Sequence, residues 1–214
     1  MSGLLYYNNK RIQKPSIKGT GSDRKICCFT GHRPSKFDFK HNENHPDCIR
    51  LKSIIEKEIE KAIIKGYDFF VAGGAQGTDT WAAEIVLKFK EAKYPNLKLE
   101  IAIPTPEQPN ACPSQAKRRY YNILEQADFN TYINEKGYAP YMMIQRNNYM
   151  VDKSKLVIAL FDGTEGGTKK TYDYALRKNK EIIRINPTNF SVEAIYNQKS
   201  LKKGEQESFF NYID

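Results

Sequence analysis

Short apolar runs that stop at glycine or proline alternate along this chain with stretches whose apolar residues return every three or four positions. Lys25-Ile-Cys-Cys-Phe-Thr30 is a run of the first kind, ended by Gly31, and reads as a buried strand entering a turn. Pro34 to Pro46 is polar and aromatic, a loop. From Cys48 to Lys65, Leu51, Ile55, Ile59 and Ala62 recur at near-helical spacing with Lys and Glu between them, and Gly66 closes the segment. Asp68 to Ala72 is a second strand. Thr78 to Lys93 is a helix with Trp81, Ala82, Ile85, Val86 and Phe89 on one side, and Pro95 ends it. Trp81, Ala82 and Ala83 read as helix–sheet packing.

The same rhythm continues. Leu97 to Ile103 is a strand, Pro106 to Pro113 a loop, and Ser114 to Gln126 a helix for which Ser114 is the expected cap. Phe129 to Ile133 is a short strand and Tyr141 to Val151 a helix. Leu156 to Phe161 is the clearest buried strand, followed by a helix from Lys169 to Arg177 and a last strand from Glu181 to Ile185. A weak helical piece and polar sequence fill Val192 to Asp214. Apolar strands alternating with amphipathic helices predict an α/β fold: a Rossmann-like, mostly parallel sheet with helices on both faces. The expected organisation is a polar N-terminal extension over residues 1–24, one domain over 25–196 and a polar tail over 197–214.

Composition narrows this picture. A length of 214 residues, 40% of them hydrophobic, suits one such domain rather than two. No apolar stretch has the length of a membrane span, and Met1 to Lys14 lacks the apolar core of a secretory signal. The expectation is a cytoplasmic protein without a membrane partner. Cys27, Cys28, Cys48 and Cys112 form no Cys-x-x-Cys pair and have no histidine at ligand spacing, so thiols in a reducing compartment and no metal are expected. The net charge of +9 is spread along the chain, densest at Arg118-Arg119, Lys169-Lys170 and Lys202-Lys203. That fits an anionic ligand without establishing nucleic-acid binding.

Three strand ends run directly into glycine. The first turn is Thr30-Gly31-His32-Arg33-Pro34, where His32 and Arg33 read equally as anion contacts or as a solvated turn. The second, Gly73-Gly74-Ala75-Gln76-Gly77-Thr78-Asp79, has three glycines in five residues before a helix, which favours close approach of a ligand to the backbone. Free N–H groups at the helix entry suit phosphate. Asp79 reads either as a helix-dipole partner or as a hydrogen-bond acceptor for a ribose hydroxyl. The third, Asp162-Gly163-Thr164-Glu165-Gly166-Gly167-Thr168, enters a helix through Gly-Gly-Thr but lacks the Gly-Lys-Ser/Thr order of a Walker A loop. Arg146 and Asn147, ahead of the clearest strand, add a guanidinium fork and an amide. No nucleophile–base pair is evident, and His41 and His45 read as surface residues. The candidate acid or base groups are the carboxylates Asp79, Glu84, Asp152 and Asp162.

Phe29-Thr-Gly-His-Arg-Pro34, Gly73-Gly-Ala-Gln-Gly-Thr-Asp79 with Trp81-Ala-Ala-Glu84, Arg146-Asn-Asn-Tyr-Met-Val-Asp152 and Gly166-Gly-Thr168 together resemble the YpsA-like family of the SLOG superfamily, over roughly Lys25 to Pro187. The superfamily is named for the DNA-processing protein DprA/Smf and the LOG enzymes. The resemblance implies a Rossmann-like fold that binds a nucleotide or nucleotide-derived ligand, ADP-ribose-like or cyclic, at the glycine turns. The site it implies comprises Gly31, His32, Arg33, Gly73 to Asp79, Arg146, Asn147, Asp162, Gly163 and Gly166 to Thr168. Members of the superfamily sense nucleotide signals, hydrolyse nucleoside monophosphates at the N-glycosidic bond, or bind single-stranded DNA, and often form dimers. LOG hydrolases carry Pro-Gly-Gly-x-Gly-Thr-x-x-Glu; here that glutamate's position falls to Thr171 or a neighbour. The leading expectation is therefore a sensor or sequestering protein needing no cofactor, working as a homo-oligomer. A nucleoside-monophosphate or phosphoester hydrolase comes second, and a single-stranded nucleic-acid binder third.

Overall fold

The computed structural model describes residues 24–137 and 139–195, with two short strands ahead of them. Those two, β1 (Tyr6–Tyr7) and β2 (Lys10–Arg11), pair antiparallel with each other in a sheet of their own. The rest of the expected extension and the tail from residue 196 lie outside the described residues.

The main sheet has seven strands: β3 (Ile26–Gly31), β4 (Phe69–Ala72), β5 (Lys98–Ile103), β6 (Phe129–Tyr132), β7 (Leu156–Leu160), β8 (Glu181–Ile185) and β9 (Val192–Ile195). Their spatial order is β6-β5-β4-β3-β7-β8-β9. Every pairing is parallel except β8 with β9. The connecting helices are α1 (Pro46–Ile64), α2 (Thr78–Ala92), α3 (Ser114–Gln126), α4 (Pro140–Lys153) and α5 (Gly167–Arg177). The α/β, Rossmann-like, mostly parallel fold expected from the alternation is the fold observed.

The chain steps outward from β3 through β4 and β5 to β6, then returns past β3 to build β7 and β8. Right-handed crossovers put the helices of the outward and return legs on opposite faces, and the buried side chains divide that way. Leu51, Ile55 and Ile59 of α1, Trp81 and Val86 of α2 and Leu124 of α3 pack on Cys27, Phe29, Phe70 and Ile101. Met150 and Val151 of α4 and Ala175 of α5 pack on Ile26, Cys28, Val71 and Val157. Neighbouring residues of one strand thus serve opposite cores, which is why β3, β4 and β7 read as unbroken apolar runs. Trp81 is the largest fully buried side chain, and its Nε1 donates to Glu43 Oε1 at 2.9 Å. Truncating it to alanine costs about 3–5 kcal/mol on the usual scale for a core aromatic.

Two local expectations change. Val192–Ile195 is an edge strand, not a helical piece. Three of its four residues are exposed, so only its pairing with Ile182 to Ile185 defines it. Ser114 is the first helical residue of α3, with Pro113 at the cap and no side-chain capping bond. Proline there supplies the extended backbone that the helix entry needs.

Candidate functional site

β3 and β7 are neighbours, but the helix after β3 leads to β4 on one side and the helix after β7 leads to β8 on the other. Their carboxyl ends therefore mark the topological switch point, where an open α/β sheet leaves a crevice. The turns at Gly31, Gly73 to Gly77 and Asp162 to Gly167 all stand along this edge.

The first two turns are packed into one another. A Cβ on Gly31 would meet Thr78 Oγ1 at 2.3 Å, and the Thr78 hydroxyl donates to the His32 carbonyl at 3.2 Å. At Gly77, which has φ +90°, a Cβ would meet that same carbonyl at 2.9 Å. Glycine is needed at these points so that strand end and helix head can touch. His32 is turned inward. Its Nε2 lies 2.8 Å from Asp162 Oδ1, and its ring packs beside Phe37 and Phe161. It ties the end of β3 to the end of β7 and does not line the pocket described below. Asp162 also accepts from the Thr164 N–H at 2.8 Å and the Thr164 hydroxyl at 2.7 Å. Burial pushes the Asp162 carboxyl up, but the Thr164 donors and His32 outweigh it and hold it down to about 2.

Arg146 is buried beneath the second turn. Its guanidinium donates to the Gly73 carbonyl, lies 3.7 Å from Asp79 Oδ2 and reaches Asn147 Oδ1 at 2.8 Å. Asp79 in turn accepts from the Ala75 N–H at 3.3 Å. Burial pushes the Asp79 carboxyl up and the Arg146 guanidinium down, while each charge draws the other back. Asn147 Nδ2 donates to Thr171 Oγ1 at 2.8 Å, and that hydroxyl donates to the Gly167 carbonyl at 2.9 Å. One polar chain thus runs from the head of α2 to the head of α5. Arg146, Asn147 and Asp79, expected to meet a ligand, instead brace the turns from behind. Thr171 belongs to the same brace.

The open space lies on the other side of the second turn. A pocket of about 550 Å³ is walled by Arg33, Gly74, Ala75 and Gln76, by the loop from Glu107 to Cys112, and by Tyr120 and Met143. That volume is in the range of small-molecule sites. Of the residues expected to hold a ligand, Arg33, Gly74, Ala75 and Gln76 line this pocket. Gly31, His32, Gly73, Gly77, Thr78, Asp79, Arg146 and Asn147 lie behind its wall. Asp162, Gly163, Gly166, Gly167 and Thr168 form a separate, mostly exposed turn. Glu107, Gln108, Tyr120 and Met143 are among the lining residues that sequence reasoning missed, and His41, read as a surface residue, also lines the pocket. The one available signal was a loop of about ten residues leaving a strand at the ligand edge of the sheet.

The carboxylate candidates do not converge. Glu84 is held by Arg119, with Arg119 Nε to Glu84 Oε1 at 2.6 Å, and the same guanidinium grips Glu43. Burial pushes the Glu43 carboxyl up, but Arg119, Lys52 and Trp81 hold it down to about 2. Asp152 stands near the end of α4, just ahead of β7, at the opposite edge of the sheet. There it accepts from the Tyr174 hydroxyl at 3.0 Å and pairs with Lys178 at 3.1 Å. Glu84 and Asp152 thus do not line this pocket and have partners of their own. Among the described residues, no group of three or more His, Cys, Asp or Glu side chains could hold a metal ion, and no helix is long and apolar enough to cross a membrane. Cys27, Cys28 and Cys48 are buried free thiols, and Cys112 is half-buried.

The model of the YspA SLOG family matches residues 27–192. The UPF0398 protein BH1768 of Halalkalibacterium halodurans is 30% identical over 159 residues, which cover 73% of this chain and 82% of that protein. A UPF0398 protein of Lysinibacillus sphaericus is 28% identical over 143 residues, covering 66% and 79%. Among solved structures, DNA processing protein A from Helicobacter pylori superposes with a TM-score of 0.53 at 18% identity, covering 78% of this chain and 68% of that one. DNA processing protein A from Streptococcus pneumoniae gives 0.51 at 16%, covering 76% of this chain and half of that one. At these identities the likeness is one of fold.

Proposed function

The chain belongs to the YspA SLOG family, and from that membership and the geometry of the crevice we propose that it binds a nucleotide or nucleotide-derived ligand, acting as a sensor or sequestering protein. The observation that carries this is the pocket of about 550 Å³ against the Gly74 to Gln76 turn. The turn leads into the 15-residue helix α2, whose head already holds Asp79 on the Ala75 N–H, and Arg33 supplies a full positive charge for an anion on the pocket wall. The buried Asp79–Arg146 pair behind the turn fixes its backbone before any ligand arrives, so little ordering cost falls on binding. Of the carboxylates the sequence offered as acid or base groups, Glu84 and Asp152 are engaged elsewhere and Asp79 does not line the pocket, which supports binding rather than hydrolysis through those groups.

Calorimetry with nucleoside mono- and diphosphates, ADP-ribose and cyclic dinucleotides tests the reading. The expected result is micromolar binding by at least one of them, weakened about tenfold or more by Arg33→Ala. Absence of heat for every compound at millimolar concentration would refute it.

A second reading has its own support. The Helicobacter pylori neighbour binds single-stranded DNA in a described mode, and this chain carries a net charge of +9. Affinity for an oligonucleotide that falls steeply with salt, and that nucleotides displace, would favour this reading.

A further inference from the structure

We propose that the loop between β5 and α3 is the specificity arm of the pocket and reads the exocyclic amine of a nucleobase through Glu107 and Gln108. The inference rests on the nucleotide reading above and goes further by naming which half of the ligand the loop takes.

The backbone of this loop is closed on itself. Successive turns close it, from Gln108 N to Thr105 O at 3.1 Å, Asn110 N to Glu107 O at 2.9 Å and Cys112 N to Pro109 O at 3.0 Å. Gln108 Nε2 donates to the Gly73 carbonyl at 3.2 Å, which pins the loop to the second glycine turn. That bond also orients the amide, because its nitrogen is used and its oxygen is left as a pure acceptor. Gln108 Oε1 and Glu107 Oε2 are both buried and have no hydrogen-bond partner, and both residues line the pocket. Buried acceptors without donors are rare in folded proteins; both oxygens are shielded from solvent, so a ligand donor meets them as these half-buried side chains turn toward the pocket.

Two unpaired acceptors call for N–H or O–H donors. The Glu107 carboxylate repels phosphate, which is drawn instead to the Arg33 guanidinium on the pocket wall. The same pocket has apolar wall from Pro109, Ala116, Tyr120 and Met143, beside the polar Asn110 and Thr80. An aromatic ring with an amine on its edge matches both features. A ribose offers hydroxyl donors but no flat apolar faces for Tyr120 and Met143.

Matched ligands isolate the amine. AMP differs from purine riboside 5′-monophosphate, and CMP from UMP, chiefly at that group. We expect at least one amino ligand to bind about tenfold or more tightly than its partner by calorimetry. Glu107→Ala and Glu107→Gln should shrink that preference to threefold or less by weakening the amino ligand, while the amine-free partner, relieved of the carboxylate's repulsion, should bind no more weakly than before. Ribose 5-phosphate should bind weakly and should not be weakened further by either substitution. Thermal melting of each variant checks that the fold persists. Cys112 gives an independent readout: it is the half-buried thiol on this wall while the other three cysteines are buried. Its alkylation by a maleimide should be slowed more by the amino ligand than by the amine-free one.

Equal binding within both pairs would overturn the inference, as would a preference that survives both Glu107 substitutions. Ribose 5-phosphate binding that is weakened by the Glu107 substitutions would assign the acceptors to the sugar and overturn it too. In each of these cases the nucleotide reading stands. If no nucleotide binds the wild-type chain, both fall together.

Discussion

Two glycine turns with the same look in the sequence are opposites in space. At Gly73, an added Cβ would lie 1.9 Å from Arg146 Nη1 and 2.5 Å from Asp79 Oδ2; at Gly166 and Gly167 it would meet no atom within 4 Å. The first turn is glycine-rich because a buried ion pair and a helix head press against its backbone. The second is glycine-rich with nothing pressing on it, although Gly163 at φ +99° and Gly166 at φ +149° need glycine's backbone freedom. Glycine alone therefore does not say whether a ligand or the protein itself makes the close approach.

The sharpest way to break this contrast is to remove the pressure. Arg146→Met leaves the Asp79 carboxylate buried without its partner, a change that costs about 3–5 kcal/mol in comparable sites. Urea denaturation measures it, and a loss below about 1 kcal/mol would show that the pair is not a brace. The loss has a pH signature. Without Arg146, the folded-state pKa of Asp79, already raised by burial, climbs further above its unfolded value. The variant should keep most stability below the unfolded pKa and lose it as pH rises through the folded one. Adding Asp79→Asn should recover part of the loss, because the two sites are coupled.

Gly73→Ala tests the same pressure from the backbone side. It should destabilise by about 3 kcal/mol, the upper end for overpacking, since both obstructing groups are themselves held. Next in size is the acid limb at the third turn. Asp162 is held down to about 2 from the usual 3.8. Its contribution, about 2 kcal/mol, is present above the unfolded value and is lost as pH falls through the folded one. Asp162→Asn should flatten this limb of the stability–pH curve, leaving the part owed to Glu43, held down to about 2 from 4.5. The smallest effect is expected at the open turn: Gly167→Ala should change stability by no more than about 0.5 kcal/mol. A large destabilisation there would erase the distinction between the two turns.

Much of this architecture was legible because burial on two faces writes itself into sequence. The run Leu156 to Leu160 is buried throughout, and α1 shows its core face in Leu51, Ile55 and Ile59. β9 was not legible, since an exposed edge strand has neither period nor burial to betray it. The site was legible as an edge but not as a surface. Arg33 and Gly74 to Gln76 line the pocket as the turn motifs suggested, whereas Arg146 and Asp79 turn their backs to it. Which side of a turn a side chain occupies depends on partners far along the chain, such as Glu84 with Arg119 or Asp152 with Tyr174. Glu107 and Gln108 belong to no motif, and their unpaired oxygens appear only when the loop is closed.

The chain of contacts from Asp79 through Arg146, Asn147 and Thr171 to the Gly167 carbonyl has a mechanical consequence. Two loops separated by some ninety residues of sequence share one strut, so neither can loosen alone. A guest that quiets the Gly74 amides should therefore slow deuterium uptake in the first turn of α5, a place it need never touch.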